Sequence, residues 1–164
     1  PGELALSPDG HGGMLAALSR ARILQDWANR GIETLMYHQV DNPCPPMCDP
    51  AFLGWHLQAA AEVSTKVVAK RSAAEKMGVV VEVDGLTRII EYSDLPADLA
   101  AATDDRGRLR IWAGNTAMHI FQREFLERAL RDDRALPFHI ARKIVPYVDE
   151  AGCLVTPTAP NAFK

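Results

Sequence analysis

Gly78-Val79-Val80-Val81-Glu82-Val83-Asp84-Gly85-Leu86-Thr87-Arg88-Ile89-Ile90-Glu91-Tyr92 is the stretch on which the fold turns. Two β-rich runs flank Asp84-Gly85, and Asp-Gly between such runs marks a hairpin because both turn positions need positive φ. Working upstream, Thr65–Ala69 reads as a short apolar strand, and Pro50 suits the first position of a helix reaching about Glu62. Ile32–Val40 reads as a buried strand ended by Asp41-Asn42-Pro43. Before it, Leu15, Leu18, Leu24, Trp27 and Ala28 recur at helical spacing from Met14, with Gly31 as the stop. Downstream, Leu109–Trp112 and Ala117–Phe121 read as strand pieces interrupted at Ala113-Gly114-Asn115. Phe121–Arg131 reads as an amphipathic helix with Phe121, Phe125, Leu126 and Leu130 on one side. Pro137, Pro146, Pro157 and Pro160 leave the remainder to loops and short strands. Helix and strand alternate early and a hairpin comes late, so the expected class is α/β, an open mixed sheet with an added β-hairpin.

Composition narrows the function classes. A chain of 164 residues, 48% apolar and 24% charged, fits one globular domain with a sizeable core. A formal charge of −3 is not the basic footprint of a nucleic-acid binder. No apolar run approaches the ~18–20 residues that span a bilayer, and no signal-peptide pattern is present, so no membrane partner is expected. Three unevenly spaced cysteines make no disulfide framework, and a reducing cytoplasm is the expected compartment. The chain opens on Pro1 rather than Met and closes on Asn161-Ala162-Phe163-Lys164, the pattern expected of a piece of a longer protein.

Three sets of residues carry chemistry, and each has an ordinary structural alternative. Asp41 follows an apolar strand, where ligands of open α/β sheets bind, and its carboxylate suits a hard divalent cation such as magnesium. Asp-Asn-Pro is also ordinary turn chemistry. Ser7-Pro8-Asp9-Gly10-His11-Gly12-Gly13 precedes a helix, so free N–H groups and the positive dipole end face outward, and paired glycines admit a flat ring or a phosphate. The same loop also reads as a glycine-rich turn with helix capping; it is neither a Walker loop nor G-x-G-x-x-G after a strand. Glu91 ends the second hairpin arm and Asn115 follows Gly114. An acid that accepts hydroxyl hydrogen bonds, beside an amide that donates and accepts, is what a sugar pocket requires. An exposed hairpin acid and a turn Asn are the alternatives.

His38, Cys44, Cys48 and His56 lie close in sequence, but the cysteines are spaced C-x₃-C with no C-x₂-C knuckle, so unliganded thiols and imidazoles are expected over a zinc-dependent interaction module. His119 and His139 lack an elbow nucleophile and an orienting carboxylate, and no hydrolytic triad is supported.

Further matching stretches follow in order: Val40-Asp41-Asn42 with Asp49-Pro50, Lys66-Val67-Val68, Gly78-Val79-Val80, Val83-Asp84-Gly85, Ile90-Glu91-Tyr92-Ser93-Asp94, Ala113-Gly114-Asn115, Lys143–Asp149 and Pro160-Asn161. With the Pro-Asp-Gly-x-Gly-Gly loop at the front, the ordered set resembles the central part of the UDP-N-acetylglucosamine pyrophosphorylase family, uridylyltransferases that couple UTP to a sugar 1-phosphate. The resemblance implies a Rossmann-like nucleotidyltransferase sheet incomplete at both ends, with residues 1–164 a partial catalytic domain. It lays Gly10, His11, Gly12 and Gly13 against the uracil, His11 standing where many relatives have Asn. It makes Asp41 a magnesium ligand near the triphosphate and puts Gly78, Glu91, Gly114 and Asn115 against the sugar and its acyl amide. The family's glycine-rich triphosphate loop and its later Phe-Asp segment are not among these residues, and Cys44-Pro45-Pro46-Met47-Cys48 replaces an aliphatic stretch.

The implied reaction is attack of a sugar 1-phosphate oxygen on the α-phosphorus of UTP with release of pyrophosphate, which needs positioning and charge neutralisation rather than a covalent protein intermediate. N-acetylglucosamine 1-phosphate is the expected acceptor and glucose 1-phosphate a close variant. A sugar-nucleotide-binding remnant without turnover is the competing reading, with the zinc module as a third.

Overall fold

The computed structural model describes residues 12–43, 45–131 and 142–163. Helices α1 (Gly12–Arg20) and α2 (Ile23–Asn29) come first, then β1 (Thr34–Tyr37), α3 (Pro50–Gln58), β2 (Val63–Ala69), β3 (Val79–Val83) and β4 (Leu86–Ile90). They are followed by α4 (Ala97–Ala101), β5 (Ala113–Gln122), α5 (Arg123–Arg131) and the short strands β6 (Arg142–Lys143), β7 (Tyr147–Val148), β8 (Leu154–Val155) and β9 (Ala162–Phe163). Two compact units result: Ile32–Phe125, and the described residues of Pro1–Gly31 with Leu126–Lys164.

The expected hairpin is present. Asp84 and Gly85 take φ of 54° and 74°, the left-handed pair that a tight turn between twisted strands demands, and Val79 faces Ile90 at its far end. β5 organises the sheet of this unit. One edge carries β2 along its length; β1 pairs with the C-terminal half of the other edge, and β3 joins at Gly114. The expected open α/β sheet with its hairpin stands, and every ladder among the described strands is antiparallel. The reason is β5: it arrives last and lies between earlier strands, so no crossover helix joins parallel neighbours.

α3 covers one face of this sheet. Asp49 caps it, accepting from the Ala51 N–H at 3.0 Å with Pro50 in the first turn, and its other oxygen meets Lys66 Nζ at 3.2 Å. That bond and the Ala51 N–H hold the Asp49 carboxyl below the ordinary carboxylate range. His56 is buried beneath the helix, where Gln122 Nε2 donates to its Nε2 at 3.0 Å, so its Nδ1–H donates to Ser64 Oγ at 2.8 Å. On the opposite face Tyr37, His119, Phe121 and Phe125 form an aromatic row with centroids 5.6–6.5 Å apart.

Several boundaries differ from the periodicity. The first helix is two, because Arg22 takes a left-handed φ of 56° between them. The helix from Pro50 ends at Gln58, with Ala60 at φ 47° beyond it. Ala113-Gly114-Asn115 does not interrupt a strand: β5 runs through it, and Leu109 makes only an isolated bridge to Thr103. Phe121 belongs to β5 and stacks on Phe125, so α5 begins at Arg123. Among the described residues no helix is long and apolar enough to cross a membrane.

Candidate functional site

Four of the sequence-selected residues meet where β3, β4 and β5 join. The Asn115 N–H donates to the Gly78 carbonyl at 2.8 Å, and Val79, fully buried, pairs with Gly114. A methyl on Gly78 would stand 3.5 Å from Glu91 Oε1 and 3.4 Å from the Ile90 carbonyl oxygen. Glu91 is exposed just past β4, and its own carbonyl accepts from the Asp94 and Leu95 N–H groups, so the following turn fixes where its side chain starts.

Gly114 is glycine for want of space. A Cβ there would collide with Met77 Sδ and lie 3.3 Å from both Lys70 Cγ and the Val68 carbonyl oxygen. Just after it β5 bulges: Lys66 faces Met118 while Val67 faces Asn115, leaving Thr116 and Ala117 unmatched. Ala117 takes φ 54°, its N–H donates to Asn115 Oδ1 at 2.9 Å, and Thr116 Oγ1 donates to the Lys66 carbonyl at 2.6 Å. The bulge therefore spends one lone pair of the Asn115 amide oxygen and leaves Nδ2 as the donor on offer. The sequence did not reveal Met77 or Lys70 here; Lys70 follows an apolar strand, but Lys66, Arg71 and Lys76 look the same in one dimension.

Asp41 is exposed in the turn after β1. Asp41 follows Tyr37, the last residue of β1, which faces His119 in the antiparallel β1–β5 ladder. Burial raises the Tyr37 phenol above its ordinary value, and the Asp41 charge pushes it the same way. No hydrogen bond or ion pair to a described residue occupies the Asp41 carboxylate. A lone free carboxylate fits magnesium, which keeps several waters and takes one or two protein oxygens beside substrate phosphates.

Gly12 and Gly13 open α1 in the other unit, two residues earlier than the periodicity suggests, with open space where a Gly12 Cβ would stand. Gly10, His11, Cys44 and His139 lie outside the described residues. A groove of about 390 Å³ in that unit, lined by Ser19, Arg22, Gln25, Glu127 and Arg131 among others, holds none of the selected residues. The zinc alternative loses its His56 ligand, both of whose ring nitrogens are taken, and no cluster of three metal-binding side chains exists among the described residues.

The chain is 42% identical over 163 residues to the UDP-N-acetylhexosamine pyrophosphorylase-like protein 1 of Xenopus tropicalis, 99% of this chain and 32% of that one. It is 36% identical over 166 residues to the UDP-N-acetylglucosamine pyrophosphorylase of Saccharomyces cerevisiae, 100% of this chain and 35% of the yeast protein. The chain thus spans about a third of the length of the curated relatives it matches. A crystal structure from Entamoeba histolytica, assigned as a UDP-N-acetylglucosamine pyrophosphorylase, superposes with a TM-score of 0.84 at 31% identity over 99% of this chain and 40% of that one. The sheet and its hairpin are therefore those of UDP-sugar pyrophosphorylases, the nucleotidyltransferase fold. The profile of the family described as UTP–glucose-1-phosphate uridylyltransferase matches residues 2–159, and the chain belongs to that family.

Proposed function

We propose that this chain is part of a uridylyltransferase that makes UDP-N-acetylglucosamine, or a related UDP-sugar, from UTP and a sugar 1-phosphate. The observation that carries the reading is the convergence of Gly78, Glu91 and Asn115: the Asn115 N–H donates to the Gly78 carbonyl, and Glu91 Oε1 lies 3.5 Å from where a Gly78 Cβ would stand. Glu91 supplies acceptors for sugar hydroxyls. Asn115 Nδ2 supplies a donor for the acyl carbonyl, Gly78 offers its backbone to the same substituent, and Gly114 is the close-packed position that sets Asn115 in place. In this reading Gly10, His11, Gly12 and Gly13 face the uracil.

The reaction forms a bond from a sugar 1-phosphate oxygen to the α-phosphorus and breaks the bond from that phosphorus to the β-bridging oxygen, so pyrophosphate leaves with the electron pair. When bound, a divalent cation such as magnesium offsets phosphate charge. Asp41 is the residue here that would hold it. Cys48 and Cys153 are exposed free thiols, which supports a reducing, cytoplasmic setting.

The test is pyrophosphate release by the full-length parent protein given UTP, magnesium and N-acetylglucosamine 1-phosphate or glucose 1-phosphate. Turnover with the acylated sugar preferred is the expected result. Binding of UDP-N-acetylglucosamine without release of pyrophosphate would overturn the enzyme reading in favour of a sugar-nucleotide-binding remnant.

A further inference from the structure

The bulge of β5 makes His119 a neighbour of Asn115. Their partners on β2 are Thr65 and Val67, successive residues of one face, so His119 and Asn115 share that face about 7 Å apart. It is also the face of Gly78 and Glu91. Val79 pairs with both Gly114 and Ile90, which turns those three to one side of the sheet and the adjoining Gly78, Asn115 and Glu91 to the other.

Three directions around the His119 ring are filled. Tyr37 stacks on it from β1 at 5.7 Å, Phe121 lies 5.6 Å away further along β5, and Thr65 Oγ1 meets Nδ1 from β2 at 3.0 Å. The remaining direction along β5 leads to Asn115. No described residue bonds Nε2. No buried side-chain nitrogen among the described residues lacks a partner, so Nε2 is open to solvent. Burial holds the imidazole below its ordinary value, and the ring is neutral at neutral pH. With the Thr65 hydroxyl donating to Nδ1, the ring proton stands on Nε2. A fixed N–H donor therefore stands beside Asn115 with its acceptor still to come.

We propose that His119 Nε2 donates to the phosphate attached to the sugar. This rests on the uridylyltransferase reading above, in which Glu91 takes hydroxyls and Asn115 the acyl group. In N-acetylglucosamine 1-phosphate the acylamino carbon lies between the carbon bearing the phosphate and one bearing a hydroxyl. Glu91 lies beyond Gly78, across the strands from Asn115, whereas His119 lies along β5 from it. A sugar that turns its hydroxyls to Glu91 turns its phosphate away, toward the open nitrogen of His119. Asp41 belongs to the same side, since its charge reaches the Tyr37 phenol and Tyr37 stacks on His119.

H119F and H119Q are made in the full-length parent protein. Initial rates are measured with N-acetylglucosamine 1-phosphate or UTP varied in turn, and with free N-acetylglucosamine as inhibitor. Phenylalanine keeps a flat ring in the aromatic row and removes the donor; glutamine returns a donor near the place of Nε2. H119F is expected to raise KM for the sugar phosphate about 10- to 100-fold, the loss of a hydrogen bond to a charged group. KM for UTP and inhibition by the free sugar are expected to stay within about threefold. H119Q is expected to restore part of the loss. An unchanged KM for the sugar phosphate overturns the proposal. So does an equal rise for UTP, which moves the contact to the triphosphate, and so does an equal loss of inhibition by the free sugar, which moves it to a hydroxyl.

Calorimetry on the same proteins separates this contact from the function it rests on. UDP-N-acetylglucosamine carries the phosphate next to the sugar, and UMP does not. H119F is expected to weaken the first about tenfold or more and to leave the second unchanged. If wild type releases no pyrophosphate yet this pattern holds, the phosphate contact stands and the enzyme reading falls. If wild type turns over and H119F binds both ligands as wild type does, the contact falls and the enzyme reading stands.

Discussion

The Asn115 peptide N–H donates to the Gly78 carbonyl at 2.8 Å, joining the start of the hairpin to the middle strand of the sheet. Through this bond the residue before β3 and the residue at the bulge of β5 share one position. Glu91, leaving the other hairpin arm, reaches the same point because Val79 pairs with Ile90.

The two glycines at this junction should respond differently to alanine. G114A drives a methyl into Met77 Sδ, with the Val68 backbone behind it, and should destabilise by about 1–3 kcal/mol in urea titrations. G78A meets its neighbours at 3.4–3.6 Å, ordinary contact, so its urea midpoint should stay near wild type. Its methyl stands beside Glu91 Oε1, however, and calorimetry should show weaker UDP-N-acetylglucosamine binding. Wild-type affinity in G78A removes Gly78 from the sugar site.

N115D isolates the donor. An aspartate keeps Oδ1 for the Ala117 N–H, so the bulge should persist, but it replaces the free amide nitrogen with an acceptor. UDP-N-acetylglucosamine affinity should fall about 10- to 100-fold while affinity for UTP changes little. Equal losses for both ligands would point to a distorted sheet instead.

D41A should leave the melting temperature unchanged, because the side chain is exposed and no described residue bonds it. Turnover of the full-length parent with UTP and magnesium should fall by several powers of ten, each being ~1.36 kcal/mol of lost charge stabilisation. Near-normal kcat in D41A would falsify its role as the metal ligand.

Burial holds both His56 and His119 below the ordinary imidazole value of 6.5. Their folded values lie below the unfolded one, so between the two the unfolded chain binds more protons. Their contribution to stability is complete above about 6.5 and is lost as the pH falls through the folded values. Urea midpoints should be level above neutrality and decline on mild acidification. H119Q, which removes the group facing Thr65 Oγ1, should flatten that decline; an unaltered slope excludes His119 as a contributor.

Local chemistry alone determined the hairpin, since only Asp-Gly among the residues here meets the positive-φ demand of its turn, and the helix start at Asp49-Pro50, where cap and first turn are adjacent in sequence. The ordered motifs also named the family and nominated Gly78, Glu91, Gly114 and Asn115. Sequence spacing could not say that Ala113-Gly114-Asn115 continues a strand, because its bulge exists only against β2. Nor could it pick out Lys70 from the other lysines, or show that both ring nitrogens of His56 are taken by Ser64 and Gln122. Turn and cap preferences act between near neighbours and are written residue by residue. Burial, and whether a charge has a partner, depend on which distant strands pack together, and only the tertiary structure decides that.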